Sequence, residues 1–260
     1  MRRYIFIAVS VMVLVVSGVI LLLPEKPGLV FLSGAGMKAP VSEIADNFHR
    51  ETGVVVQTYF KGSLILCDYI LKFKTGDVFL PGDKKNMDIL KGDDLVAESG
   101  FMAWHQVAIL ISPEQQNKIK GLDDLAAPGI RLVFSNPRLA SLGKLVMERI
   151  IEKHPKGQDI LKNVVVYGSS SLDVLRLYNQ GGVDAIIEWD VMASVPEGKG
   201  LVVVPIEKPY QIRDELWIGL LKGVRDPLLA KQFYDYVVSN GKDVFRKYGY
   251  DVTPVDGINE

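Results

Sequence analysis

Only one cysteine, Cys67, occurs in the 260 residues. That excludes an intrachain disulfide and any metal site built from several thiolates. Histidine is nearly as scarce, and His49, His105 and His154 are too scattered for a zinc motif. Neither sign of charge is in excess, with 30 basic against 31 acidic residues. A nucleic acid or an anionic membrane surface is therefore not an expected partner. Repeats and low-complexity tracts are missing. So are the G-x-S-x-G elbow, H-E-x-x-H, the phosphate-binding G-x-x-x-x-G-K-[ST] loop and a G-x-G-x-x-G following a strand. Neither catalysis nor a cofactor is expected.

What is present begins with Arg2 and Arg3, followed by an uncharged apolar run from Tyr4 to Leu23 and then Pro24. Twenty helical residues span about 30 Å, one hydrocarbon core. Residues 1–25 read as a signal peptide or a membrane anchor. Under both readings the basic end stays inside, and the chain from about residue 26 lies outside the cytoplasm, in the periplasm or an equivalent compartment.

Beyond that segment, short strand-like runs alternate with helical spacing. "GLVFLS" reads as a buried strand. "PVSEIADNFHRETG" places Val41, Ile44, Ala45 and Phe48 on one helical face, closed by Gly53. "VVVQTYF", "DVFLPG", "WHQVAILISP", "NVVVYG" and "VDAIIEWD" read as strands, with helical segments between most of them. The chain ends on two expected helices, "DPLLAKQFYDYVVSNG" and "GKDVFRKYG". Such alternation predicts an α/β fold with helices on both faces of mainly parallel sheets.

Two strand ends are candidate anion sites. In "FLSGAGMKAP" the strand stops at Ser33, Gly34 and Gly36, just before a helix. The first turn of a helix leaves N–H groups unpaired, and glycines let a ligand approach them. "FKGSLILCDYI" repeats the device, with Ser63 at the helix start. Met37, just inside the first of these helices, and Cys67, about one turn into the second, could form a site for a soft metal ion together with Glu188 or Asp190. The short "GSSS" at 168–171 reads as a cap for the helix that follows.

Three stretches carry a resemblance to a known family: "EIADNFHRETGVVV", "GLDDLAAPGIRLVFSNP" and "DPLLAKQFYDYVVSNGKDVFRKYGY". In this order the chain resembles the periplasmic molybdate- and tungstate-binding proteins, within the two-lobed type II solute-binding proteins of ABC transporters. The resemblance implies lobe I from 28–110 plus 207–260, lobe II from 111–206, and a ligand in the cleft between them. It implies that Ser33 and Ser63 bind the oxyanion, and that Ala140 or Ser141 offers a backbone N–H from lobe II. Trp189 stands where bacterial members carry a ligand-binding tyrosine, and Glu188 where an archaeal branch carries a carboxylate. Leu64 takes the place of a small residue beside Ser63. The implied partners are a small oxyanion and an ABC permease, with a monomer expected. A membrane-anchored ligand sensor and a soft-metal-binding protein are the alternative readings.

Overall fold

The structure is a computed structural model that describes residues 28–255. The expected segment 4–23 lies outside the described residues. Among those residues, no helix is long and apolar enough to cross a membrane.

The chain builds two sheets that share one strand. β1 (Leu29–Gly34) lies between β2 (Val56–Lys61) and β3 (Val78–Leu80), parallel to both. β4 (Val96–Ile111) is the long element, and its first part pairs antiparallel with β9 (Arg213–Leu221) as far as Gln106. From Val107 onward it belongs to the second sheet, antiparallel to β7 (Ala185–Trp189) and β8 (Val202–Pro205). There β5 (Leu132–Ser135) runs parallel to β7 and to β6 (Val164–Gly168). The strand path is β2-β1-β3-β9-β4-β7-β5-β6, with β8 against β4. The fold is therefore α/β and two-domain, but its sheets are mixed where mainly parallel sheets were expected. The outer strands are parallel because helices connect them, whereas β9 and β4 run between the lobes and pair in opposite directions. In β4 the change of sheet falls between Gln106 and Val107, four residues before the lobe boundary read from the sequence.

Helices cover the sheets as amphipathic spacing requires. α1 (Lys38–Thr52) buries Val41, Ile44, Ala45 and Phe48, and Gly53 ends it at φ 75°, a left-handed value that suits glycine. Its Phe48 ring meets Phe233 edge-on at 4.9 Å. Phe233 belongs to α8 (Pro227–Lys247), which is one helix where two were expected. Gly241 does not end it. A Cβ at Gly241 would stand 3.0 Å from Met102 and 3.2 Å from Ile44, so the glycine there serves close packing. Sequence reading took a packing glycine for a stop.

Candidate functional site

Three of the helices that begin beside the cleft have no side chain over their first turn. The turn Ala35–Met37 starts after Gly34 and leads into α1, α2 (Ser63–Phe73) starts after Gly62, and α5 (Ser141–Val146) starts after Ala140. None of the three receives a side-chain capping bond. By contrast, Asp83 caps α3 (Lys84–Gly92) and Asp226 caps α8, each accepting from a backbone N–H. Asp83 and Asp226 close their helix starts with a carboxylate, whereas the starts at Ala35, Ser63 and Ser141 beside the cleft leave their N–H groups open. Such groups attract an anion, by about 0.3–2 kcal/mol per helix end.

These starts converge on one cavity of about 30 Å³, lined from lobe I by Gly34, Ala35, Gly36, Met37, Lys61 and Gly62 to Ser63, together with Gly82. From lobe II come Ala140 to Leu142, Ser170, Ser171 and Trp189, while His105 and Tyr250 close it from the strand crossing and the C-terminal segment. That space is about two to three times what one water needs, which suits a single small ion. The Ser63 hydroxyl accepts a 2.8 Å bond from the Gly82 N–H, so its own proton is free to point at a ligand. Lys61, exposed at the rim, brings the lining a positive charge.

The lobes are closed on each other here. A Cβ on Gly62 would fall 2.3 Å from the carbonyl oxygen of Leu139 and 3.0 Å from that of Ser169, both in lobe II. Gly36 likewise sits 3.3 Å, by its absent Cβ, from the sulfur of Met192. Gly62 has φ −60°, which any residue can adopt. Its lack of a side chain therefore serves the contact between lobes and not the turn.

Of the residues singled out in the sequence, Gly34, Gly36, Ser63, Ala140, Ser141 and Trp189 all line the cavity. Ser33 does not. It is fully buried at the strand end, where its hydroxyl donates to the Gly34 carbonyl at 3.3 Å. Leu64 faces a different groove, beside Asp83 and Ser141, and leaves this cavity uncrowded. Glu188 also misses the cavity. It is 0% exposed behind the lobe II wall, where its carboxylate accepts from the Ser135 hydroxyl at 2.9 Å and from the Trp189 N–H at 3.2 Å. Burial pushes its carboxyl up to about 7, against the opposing bonds from Ser171, Ser135 and the Trp189 backbone. Asp190 accepts from the backbone N–H groups of Gln106 and Val191 and serves the strand crossing.

The soft-metal set does not assemble. Met37 reaches the cavity, but Cys67 lies in a separate apolar cluster with Leu32, Leu66, Ile70 and Phe79. Its thiol is pushed up to about 12, first by burial and then by Asp68, Asp83 and Asp93 nearby. A thiol held protonated is a poor metal ligand. Among the described residues, no group of three or more His, Cys, Asp or Glu is placed to hold a metal ion.

Sequence reading missed His105, Gly82, Ser171 and Tyr250. The "GSSS" turn does cap a helix, since Ser170 accepts from the Asp173 N–H. It also delivers Ser170 and Ser171 to the cavity. His105 had no local signal, because it sits inside a strand and the crossing of β4 alone brings it to the cleft. Its imidazole lies flat on the Trp189 indole, 3.5 Å away and tilted by 10°.

Residues 29–251 match the family of bacterial extracellular solute-binding proteins. The chain belongs to that family. Among curated relatives, a Haemophilus influenzae chain provisionally named a binding protein is 27% identical over 256 residues, covering 94% of this chain and 97% of the relative. Campylobacter jejuni PEB3 with bound L-phospholactate superposes with a TM-score of 0.68 at 23% identity, covering 86% of this chain and 99% of PEB3. The periplasmic molybdate-binding protein of Azotobacter vinelandii gives 0.70 at 16% identity, covering 87% and 100%. At these identities the two structures bear on the fold, and both share the two-domain architecture.

Proposed function

We propose that this solute-binding protein captures one small tetrahedral oxyanion between its lobes and delivers it to the permease of an ABC importer. The observation that carries the reading is the set of three uncapped helix starts converging on one small cavity. Backbone N–H groups and the Ser63 hydroxyl replace the ion's hydration shell, and closure of Gly62 against Leu139 excludes water. Molybdate and tungstate are the ions that the resemblance implies. The A. vinelandii neighbour binds molybdate and PEB3 was solved with a phosphorylated acid, and ligands of this chemistry support the reading.

Calorimetric titration of the purified chain with molybdate, tungstate, sulfate and phosphate tests the reading. Binding of at least one of them, weakened about fivefold to tenfold in Ser63→Ala through loss of one hydrogen bond to a charged ligand, is the expected result. Heat from none of the four would overturn it.

A further inference from the structure

Beside its open donors, the cavity lining includes a buried side chain with a ring nitrogen that has no partner among the described residues. His105 is 3% exposed, and no protein group bonds its Nε2. Gly82 spends its N–H on Ser63, so what its backbone offers the imidazole, in the sense that favours the charged ring, is its carbonyl. A neutral ring that keeps its proton on Nδ1, toward that carbonyl, presents Nε2 as an acceptor only. Burial keeps the ring neutral, lowering it to about 3.

The surroundings do not change that polarity. Asp214 stands opposite His105 in β9 and spends one oxygen on the Lys84 and Glu215 N–H groups. Asp190 and Glu188 flank the stacked Trp189 and are likewise taken up by backbone N–H groups and Ser135. Asp83, next to Gly82, holds both the N–H and the side-chain amide of Asn86. Tyr250, with its ring 6.3 Å away, donates to the Gly36 carbonyl, and Lys61 lies on the cavity lining. None of them reaches Nε2.

We propose that His105 keeps its own proton on Nδ1 and reads a proton on the ligand: its Nε2 accepts a hydrogen bond from an acidic hydroxyl of the bound ion, so the site selects a hydrogen-bearing phosphoryl group over a fully deprotonated tetrahedral oxyanion. The inference rests on the oxyanion reading and narrows it away from molybdate and tungstate. Sulfate and molybdate have the tetrahedral shape but would set a lone pair against the lone pair of Nε2, leaving a buried acceptor unpaired. A site that pairs a ligand hydroxyl rejects an analogue lacking it far more strongly than size differences allow.

The test is titration of the purified chain with inorganic phosphate, a simple phosphomonoester, sulfate and molybdate across a pH series. Phosphate should bind at least about tenfold more tightly than sulfate or molybdate. Inorganic phosphate keeps a proton through neutral and mildly alkaline pH and should hold its affinity there. A phosphomonoester gives up its last acidic proton near pH 6 and should weaken about tenfold for each further unit. These two arms separate a free ion from an ester as the source of the same group. In His105→Gln, whose amide can turn an N–H toward the ligand, the preference over sulfate should shrink toward unity. Sulfate or molybdate binding as tightly as phosphate to the unaltered chain would overturn the inference and leave the oxyanion reading standing. Retention of the full preference in a folded Gln variant would also overturn it. Should that variant not fold, the selectivity of the unaltered chain decides alone. Binding of none of the four, nor of tungstate, would instead bring down the oxyanion reading beneath it.

Discussion

The two walls of the cleft reach the same chemistry on different supports. On the lobe I side, open N–H groups at Gly34–Met37 and Ser63 are backed by apolar packing, with Leu32, Leu66 and Cys67 in one cluster. On the lobe II side, the starts at Ser141 and Ser171 are backed by a buried carboxylate, Glu188, held by Ser135 and the Trp189 N–H. An anion site tolerates a carboxylate behind its wall when hydrogen bonds hold it and its proton affinity is raised. The cost of the second wall should therefore include a pH dependence that Glu188 carries. What unites the walls is the absence of side chains where they meet.

Gly62→Ala should have the largest effect. Its Cβ would meet the Leu139 carbonyl only with the lobes closed, so the folded open form is spared. Overpacking of this kind costs about 1–3 kcal/mol, which predicts a loss of about tenfold to a hundredfold in affinity with little change in melting temperature. Titration together with small-angle scattering checks it, and a variant that binds and contracts like the unaltered chain would break the comparison at its centre.

Glu188→Gln comes next and sharpens the difference between the walls. In the folded chain Glu188 keeps its proton from about 4.5 up to about 7, a window in which the unfolded chain has released it. Its raised value means that the unaltered protein loses stability as pH rises through that window. The Gln variant carries no such loss, so its advantage should grow by about 3 kcal/mol between pH 4.5 and 8. Urea denaturation of both proteins at the two pH values measures this, because His105 and Asp214 titrate in both and cancel in the difference. An unchanging difference would mean that the lobe II wall carries no charge penalty.

Cys67→Ser is the corresponding change behind the lobe I wall. Placing a hydroxyl in the Leu66, Ile70 and Phe79 cluster should cost about 1–3 kcal/mol of stability. Ligand affinity should stay within about twofold, since Cys67 does not line the cavity. A large loss of binding would restore Cys67 to the site.

The fold was legible where local pattern and final environment agree. Val41, Ile44, Ala45 and Phe48 announced α1, and Gly53 its end, because spacing and left-handed backbone are local properties. Gly241 misled because packing against Met102 and Ile44 leaves no mark in the neighbouring sequence. Within the site, Gly34, Gly36 and Ser63 were visible as glycines and a hydroxyl at strand-to-helix junctions, where unpaired N–H groups are a necessity of helix geometry, while Ala140 and Ser141 were named only by the family resemblance. Ser33 and Glu188 stood at the right junctions with their side chains turned inward, a choice that the pleat of β1 and β7 makes and composition does not.

The sequence by itself determined the alternation of strands and helices, the strand ends with open backbone, and the exclusion of disulfides and multi-thiolate metal sites. Only the tertiary structure decided which of those ends meet. β4 passes from one sheet to the other at Gln106–Val107 and carries His105 to the back of the cavity. Gly62 serves its contact with the Leu139 carbonyl across the cleft, which nothing in the neighbouring sequence announces. Local sequence fixes which groups are left unpaired, because backbone hydrogen bonding is local in a helix. Which unpaired groups share a ligand depends on contacts between residues far apart in the chain, and those are set by the packing of the whole.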